Sequence, residues 1–173
     1  MSIADGLYQE FMVEAVTTRR VLERVPADKL SWKPHAKSRT LGQLAMHVAT
    51  VPGALAELSH LDTFAFETLP PDADPKSASE ILDAHDAGAA RAKEHLGRMD
   101  DAKIMGTWTG TMGGKPIVTF PRAGFLRTVM LNHWYHHRGQ LSVYLRELNV
   151  PLPSIYGPSA DENPFAPAET LKA

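Results

Sequence analysis

The chain has 173 residues, the size of one ordinary domain, and its 43% hydrophobic and 22% charged residues are usual for a globular protein. Its net charge of −2 gives no electrostatic reason to expect a nucleic acid or an anionic membrane as a partner. No stretch approaches about 18 apolar residues, and no basic region followed by an apolar one opens the chain. The sequence therefore predicts a cytoplasmic protein that is neither secreted nor membrane-spanning.

The chain contains no cysteine. This excludes disulfide scaffolds, thiolate zinc sites and cysteine nucleophiles, so any thiol chemistry would need a thiol from outside the protein. Eight histidines are present, and a metal or acid–base site would have to use imidazole and carboxylate groups.

The spacing of apolar residues predicts four helices. The first covers residues 2–24, and the second opens at Thr40, which forms a capping-box pattern with Gln43. Pro52 lacks the N–H that would bond the Val48 carbonyl, so we expect the second helix to bend and to continue beyond the proline.

The later elements are separated by segments rich in proline and glycine. A third helix begins near Ser77, and residues 105–118 favour a small hairpin that turns at Gly113-Gly114. A fourth helix starts around Pro121, because proline is well tolerated in a first helical turn.

Together these elements predict an all-α fold. We expect a four-helix bundle with a small β-hairpin between helices 3 and 4 and an irregular C-terminal tail. Residues 1–165 should form a single domain, and residues 166–173 should be a frayed tail.

Two histidines of the fourth helix have the spacing of metal ligands. His133 and His137 are four residues apart, so their side chains share one face, about one turn apart. Apolar residues and Gln140 lie on the same face, so we expect the pair to point into the bundle. His136 lies about 100° around the helix and should point elsewhere. Such a pair alone also arises by chance or as a solvated cluster.

His47 strengthens the metal hypothesis. It lies on the apolar stripe of the second helix, so it too is expected to face the interior. Burying three imidazoles without partners would cost a few kcal/mol, whereas a shared metal ion satisfies all three. A three-histidine site also leaves positions open for water or substrate, which is typical of catalytic sites.

Other metal sites fit the sequence less well. A zinc-protease motif would need a glutamate between His133 and His137, and a di-iron site would need two Glu-x-x-His motifs. Only Glu57 and His60 form such a motif, so His60 is expected at a surface or loop edge. His85 lies among apolar residues and is open to three interpretations: a fourth ligand, a hydrogen-bond donor to a ligand, or a packed core residue. The histidines expected to face solvent are His35 and His95.

Further polar residues leave alternatives open. Arg138 could bind an anionic substrate or form a surface or interface salt bridge. Gln140 could orient a ligand or a substrate. Asp161 and Glu162 could reach the metal or form a solvated pair of charges in the tail.

Three segments together resemble the DinB/YfiT-like superfamily, a group of small bacterial four-helix-bundle metalloproteins. They are residues 41–49 (LGQLAMHVA), 133–141 (HWYHHRGQL) and 156–162 (YGPSADE). The resemblance extends over nearly the whole chain, from the first helix to the tail.

The resemblance implies a cofactor and partners. A divalent metal ion, zinc or nickel, would be held by His47, His133 and His137, and the protein would form a homodimer. Some relatives are transferases or isomerases that use a low-molecular-weight thiol such as mycothiol or bacillithiol, which the metal holds as a thiolate. The absence of cysteine fits an external thiol cosubstrate.

Three functions remain open at this point. The leading hypothesis is a metal-dependent transferase or hydrolase acting on a small-molecule substrate, such as a thiol-dependent S-transferase. The second is a non-catalytic, stress-related metal-binding protein that acts as a dimer. The third is a metal-free bundle whose function is dimeric interaction and whose histidines form hydrogen bonds in the core.

Overall fold

The fold consists of four long helical segments and a small sheet. The computed structural model describes residues 2–166, so residues 167–173 of the expected frayed tail lie outside the described part. Between residues 2 and 166 no helix is both long and apolar enough to cross a membrane. The elements are α1 (Ile3–Leu22), α2 (Leu41–Leu58), β1 (Thr63–Ala65), α3 (Ala78–Gly97), α4 (Asp101–Met105), β2 (Thr107–Met112), β3 (Lys115–Pro121), α5 (Arg122–Phe125), a π-helical stretch (Leu126–Asn132) and α6 (His133–Glu147).

Side-chain caps begin the second and third long helices where the sequence predicts them. Thr40 accepts a hydrogen bond from the Gln43 N–H, and the Gln43 side chain accepts one from the Thr40 N–H, which completes a capping box. Ser77 accepts from the Glu80 N–H, but the Glu80 carboxylate accepts from the N–H of Lys76. Ser77 is therefore the predicted N-cap of α3. The reciprocal bond from the Glu80 carboxylate goes to the residue before the N-cap, and not to the N-cap itself as in a capping box.

One hydrogen bond joins α2 to α6 at the proline of α2. The helix continues through Pro52, as predicted. Pro52 has no N–H for the Val48 carbonyl, and the Trp134 indole Nε1 donates to this oxygen instead, at 2.8 Å. Trp134 is 1% exposed, so water does not compete for the bond. The proline thus frees an acceptor inside α2, and α6 uses it.

Two glycines allow α2 and α3 to approach each other closely. A Cβ atom on Gly53 would lie 2.6 Å from the carbonyl oxygen of Gly88. A Cβ atom on Gly88 would lie 2.9 Å from the carbonyl oxygen of Ala49. Both distances are shorter than a van der Waals contact, so neither position accepts a side chain unless the helices move apart.

The sheet has the strand order β1-β2-β3. β2 and β3 are antiparallel and turn at Gly113 and Gly114, whose φ angles are 55° and 74°, so the predicted hairpin is confirmed. β1 pairs with β2 in parallel, Thr63 opposite Thr109. The sequence does not predict β1, because three residues are too few to show an alternating pattern.

The prediction of an all-α four-helix bundle is correct only in part. The fold is mostly helical and the hairpin lies between the third and fourth predicted helices, but β1 and α4 are absent from a strict four-helix bundle. α4 is five residues long and is capped by Asp100, which accepts from the Lys103 N–H. A helix of little more than one turn shows no helical periodicity, so its apolar spacing gives no signal.

The fourth predicted helix begins after Pro121, as expected, but consists of three segments. α5 leads into the π-helical stretch, in which each turn takes up more residues than an α-helical turn. α6 follows and ends before Asn149, which has a φ of 58°. The change of helix type occurs directly before His133.

Arg138 is a buried part of the fold. Its side chain is between α1 and α6, where it pairs with Glu14 at 2.6 Å and donates to the hydroxyls of Thr18 and Tyr156 at 3.0 and 2.6 Å. It is 1% exposed. The expected salt bridge of Arg138 forms, but inside the protein and not at a surface or interface, and the expectation of an anionic-substrate site is wrong because the side chain is buried.

The acidic pair of the tail fastens the tail to two helices. Glu162 pairs with Arg20 of α1, and Asp161 pairs with Arg146 of α6. Asp161 also accepts from the Leu152 N–H at 2.8 Å. The pair does not join the histidine group; its carboxylates stay at the surface, as the second alternative expects, where basic residues of the bundle bind both.

Replacing Trp134 tests its bond to α2. We expect Trp134→Phe to lower the free energy of unfolding by about 1–3 kcal/mol, because the buried Val48 carbonyl loses its donor. In a Pro52→Ala background the cost should be smaller, since alanine restores an N–H for that carbonyl. Urea denaturation of metal-free protein measures both costs.

Trp108→Phe provides the matched control. Trp108 is fully buried, and its indole donates to the Leu58 carbonyl at 3.1 Å. Its loss should cost the same whether residue 52 is proline or alanine. A cost of Trp134→Phe that is equally independent of residue 52 would refute the exchange of donors at Val48.

Candidate metal centre

Three histidines from two helices meet at one point. His47 lies on α2, whereas His133 and His137 lie on the first turns of α6. The Nε2 atoms of His47 and His133 are 3.1 Å apart, and one ring nitrogen from each of the three lies within 4.8 Å of the others. The structure therefore brings together the three histidines singled out in the sequence.

These distances fit a shared metal ion. With metal–nitrogen bonds of about 2.0–2.1 Å, neighbouring ligand nitrogens are about 3.3 Å apart in a tetrahedral site and about 2.9 Å apart in an octahedral one. The separation of His47 and His133 lies between these values. The group of three could hold a divalent ion and leave at least one position for another ligand.

The bond between Trp134 and Val48 lies beside the site. Val48 follows His47 in α2, and Trp134 follows His133 in α6, so the hydrogen bond joins the immediate neighbours of two histidines. Because the indole and the carbonyl are both buried, this bond limits how far the two helices can slide or separate at the site.

Gln140 orients His137. The Gln140 Oε1 lies 2.7 Å from the His137 Nδ1. An amide oxygen only accepts, so Nδ1 carries the proton and donates, and Nε2 keeps its free lone pair. This contact agrees with the role predicted for Gln140 in orienting a ligand. A role toward substrate stays a prediction.

The histidine pair borders the buried face of α6. Trp134 and Arg138 occupy that face, whereas His133 and His137 are half-buried and Gln140 is exposed. The expectation that the pair points into the core is thus only partly right. Each histidine lies one residue, about 100°, before a core residue, and this offset leaves one side of the group open.

Burial keeps the three imidazoles neutral. Desolvation lowers the pKa of His47 to about 4, and it is also the largest cause of the lowered pKa of His133 and of His137. The positive charge of Arg39 lowers the pKa of all three. Neutral imidazole is the form that binds a metal, so no ligand has to lose a proton near neutral pH.

An ion pair that the sequence analysis missed lies beside His47. The Arg39 Nε donates to the Asp72 Oδ2 at 2.7 Å, and the Asp72 Oδ1 lies 3.9 Å from the His47 Nδ1. Pairing with Arg39 holds the pKa of the Asp72 carboxyl below its usual range. The two residues belong to separate connections, and no periodicity links side chains in two loops.

A cavity of about 490 Å³ adjoins His47 and His133. One wall is α2, and the other consists of Arg39 and residues 69–73. A cavity of this size can contain a small organic molecule. The apolar lining residues are Met46, Val51, Ala54, Leu55, Leu58, Leu69, Pro70, Pro71 and Ala73.

Other histidines have different roles. His85 is buried and its Nε2 donates to the Ala15 carbonyl at 3.2 Å, so of its three interpretations the packed core residue is confirmed. His60 is half-buried, and its Nε2 donates to the carbonyl of His95 at 2.9 Å. His60 lies at the loop edge directly after α2, as expected. His95 is not the solvent-facing residue expected, because it is half-buried and its ring packs against that of His60, with centroids 5.1 Å apart. The exposed histidines are His35 and His136.

Comparisons with known proteins agree on one family. The DinB family profile matches residues 1–168. The chain is 26% identical over 160 residues to the uncharacterized protein YrdA of Bacillus subtilis (strain 168), a similarity that covers 91% of this chain and 90% of the relative.

Solved structures with the same fold carry the same family name. A DinB-like protein from Bacillus cereus ATCC 10987 is 26% identical, with a TM-score of 0.69 over 88% of this chain and 97% of the other. The DinB-like protein YjoA from Bacillus subtilis is 18% identical, with a TM-score of 0.69 over 87% and 97% of the two chains, which shows a common fold. Since the family profile matches nearly the whole chain, the protein belongs to the DinB family.

Proposed function

We propose that His47, His133 and His137 bind one divalent metal ion, zinc or nickel, and that the protein is a metal-dependent enzyme. The observation that carries this proposal is the meeting of three neutral imidazoles beside a cavity of about 490 Å³. Imidazole groups accept several first-row metals, so the choice of zinc or nickel comes from the family resemblance.

Three protein ligands favour catalysis over a structural or storage role. Structural zinc sites are closed by four protein ligands, whereas catalytic sites keep a position for water or substrate. The ligand group found within residues 2–166 has three members. The open side of this group and the apolar cavity belong to the same region, and a protein that only stored metal would have no use for the cavity.

We propose S-transfer from a low-molecular-weight thiol as the reaction class. A bound divalent ion is a Lewis acid that lowers the pKa of a thiol in its open position. The chain has no cysteine, so the thiol has to be a cosubstrate. Gln140 holds the ring of His137, and the apolar wall of the cavity would bind the carbon skeleton of the second substrate and exclude water from it.

A cytoplasmic location and a homodimer complete the proposal. Both come from the sequence and its family resemblance. The outer face of α1 offers apolar surface that a second copy could cover, since Val13 and Val16 are 67% and 64% exposed.

Removing one ligand should remove the metal. Elemental analysis of protein purified without a histidine tag should find one equivalent of a first-row metal. In His133→Ala the affinity should fall by more than about tenfold, because two imidazoles remain. The helical circular dichroism should be unchanged, since His133 is only half-buried.

His136→Ala is the matched control for this experiment. His136 lies on the same helix and is exposed, so its removal should leave one equivalent of metal bound. Metal retained in His133→Ala, or a parent protein that takes up neither zinc nor nickel at neutral pH, would refute the proposed site.

Acid should destabilise the metal-free protein through His47. Unfolded His47 takes up a proton near pH 6.5, whereas the folded residue does so only near pH 4. Between these values the unfolded state binds more protons, so the free energy of unfolding falls as the pH falls. From pH 7.5 to pH 5 we expect His47 to contribute about 1 to 2 kcal/mol of this loss.

Urea denaturation with a chelator, at both pH values, measures the effect. His47→Asn should lose less stability than the parent over the same interval. Equal losses would show that His47 titrates alike in the folded and unfolded states, contrary to its burial.

The reaction class is tested by turnover. With bacillithiol or mycothiol and an aryl halide, the thiol sulfur replaces the halogen, and halide and the thiol proton are released. The metal-loaded protein should form this thioether faster than His133→Ala does, as followed by its near-ultraviolet absorbance. Chelation should abolish the difference, and added metal should restore it. A metal-loaded protein that turns over no combination of thiol and electrophile would favour the non-catalytic metal-binding function.

A further inference from the structure

Arg39 brings unused hydrogen-bond donors to the cavity wall. A guanidinium has five N–H donors, and for Arg39 only Nε is engaged, by the Asp72 Oδ2. Within the part of the chain that the structure describes, Nη1 and Nη2 make no hydrogen bond, although Arg39 lines the cavity and its side chain is only 35% exposed. Four N–H groups in a planar fork are therefore available there.

The charges around the cavity would favour an anion when the histidines hold a metal ion. The charged lining residues of the cavity are Arg39 and Asp72, because burial keeps the lining histidines neutral. One oxygen of Asp72 accepts from Arg39, and the other lies 3.9 Å from the Nδ1 of neutral His47, beyond hydrogen-bond distance, so the charges of Arg39 and Asp72 balance each other. An ion held by the histidines would add two positive charges, so the site with its metal would be cationic.

Apolar groups surround this cationic corner. Beyond His47, the wall contributed by α2 consists mainly of aliphatic side chains, and the opposite wall includes Leu69, Pro70 and Pro71. A ligand that fills the cavity would therefore have an apolar body. The planar fork of Arg39 matches the two oxygens of a carboxylate, which it can bind through two parallel hydrogen bonds.

We propose that the cavity binds a carboxylate with an apolar body, that Arg39 holds the carboxylate, and that the body lies along α2. This inference names the substrate class of the proposed enzyme. It rests on the proposed function only in treating the bound carboxylate as a substrate that is turned over. Binding itself is measured separately, so failure of the proposed function and failure of this inference give different results.

The test compares two ligands that differ only in charge. Octanoate and octanamide are titrated by calorimetry into zinc-loaded protein and into protein treated with a chelator. Octanoate should bind more tightly than octanamide in both. Arg39→Gln should weaken octanoate binding by at least about tenfold and leave octanamide binding nearly unchanged, because only the charged hydrogen bonds are lost.

Asp72→Asn separates ligand binding from loop positioning. This variant also breaks the Arg39–Asp72 ion pair, but it keeps the guanidinium and removes a negative charge. Octanoate should then bind as tightly as in the parent protein or more tightly. If Arg39 served only to hold residues 69–73 in place, both variants would weaken octanoate and octanamide alike, and the inference would be wrong.

Other outcomes are equally decisive. Octanoate that binds no better than octanamide to the parent protein would overturn the inference. So would octanoate binding that disappears with the metal and persists in Arg39→Gln, since the carboxylate would then coordinate the ion. Metal content of Arg39→Gln should stay at one equivalent. Charge-dependent octanoate binding without any thiol turnover would sustain this inference and refute the proposed reaction.

Discussion

A carbonyl that α2 cannot satisfy by itself connects the fold to the site. Pro52 deprives the Val48 oxygen of its helical donor, and the Trp134 indole supplies another from α6 at 2.8 Å. Because the acceptor and the donor are both buried, separating the two helices would leave an unpaired polar group in the core. His47 precedes Val48, and His133 precedes Trp134. The hydrogen bond that replaces the missing helical bond therefore limits how far these two candidate ligands can move apart.

Two arginines show how the same charge can serve the fold or the site. Arg138 is 1% exposed and its guanidinium binds Glu14 and two hydroxyls inside the protein, where a ligand cannot reach it. Arg39 donates one hydrogen bond to Asp72, through Nε, and also lines the cavity. The first charge is paired with a carboxylate inside the core. The second is also paired with a carboxylate, but it borders the cavity beside three imidazoles that burial keeps neutral.

The sequence predicts regular elements and fails where contacts join irregular ones. Helical spacing and capping residues reveal the long helices, and the i, i+4 spacing of His133 and His137 reveals their shared face. The same periodicity cannot show β1, which depends on a partner 46 residues away, Thr63 opposite Thr109. Periodicity also gives no correct prediction for Arg138, because its partner is Glu14 on another helix, and the spacing of residues within one helix cannot show that contact. The Arg39–Asp72 pair lies between two connections and has no pattern at all.

The contact of α2 with α3 at Gly53 and Gly88 has a mechanical consequence for His47. Where two helices touch backbone to backbone, no side chain lies between them that could be compressed or change rotamer. α3 therefore leaves α2 no room to move toward it, and the Trp134 bond ties α2 to α6. When a ligand presses on the wall of the cavity, the helix cannot recoil, and the displacement has to be taken up by the side chains of α2 or by residues 69–73. Of the two walls of the cavity, α2 is thus held by two other helices, whereas residues 69–73 belong to a connection between elements.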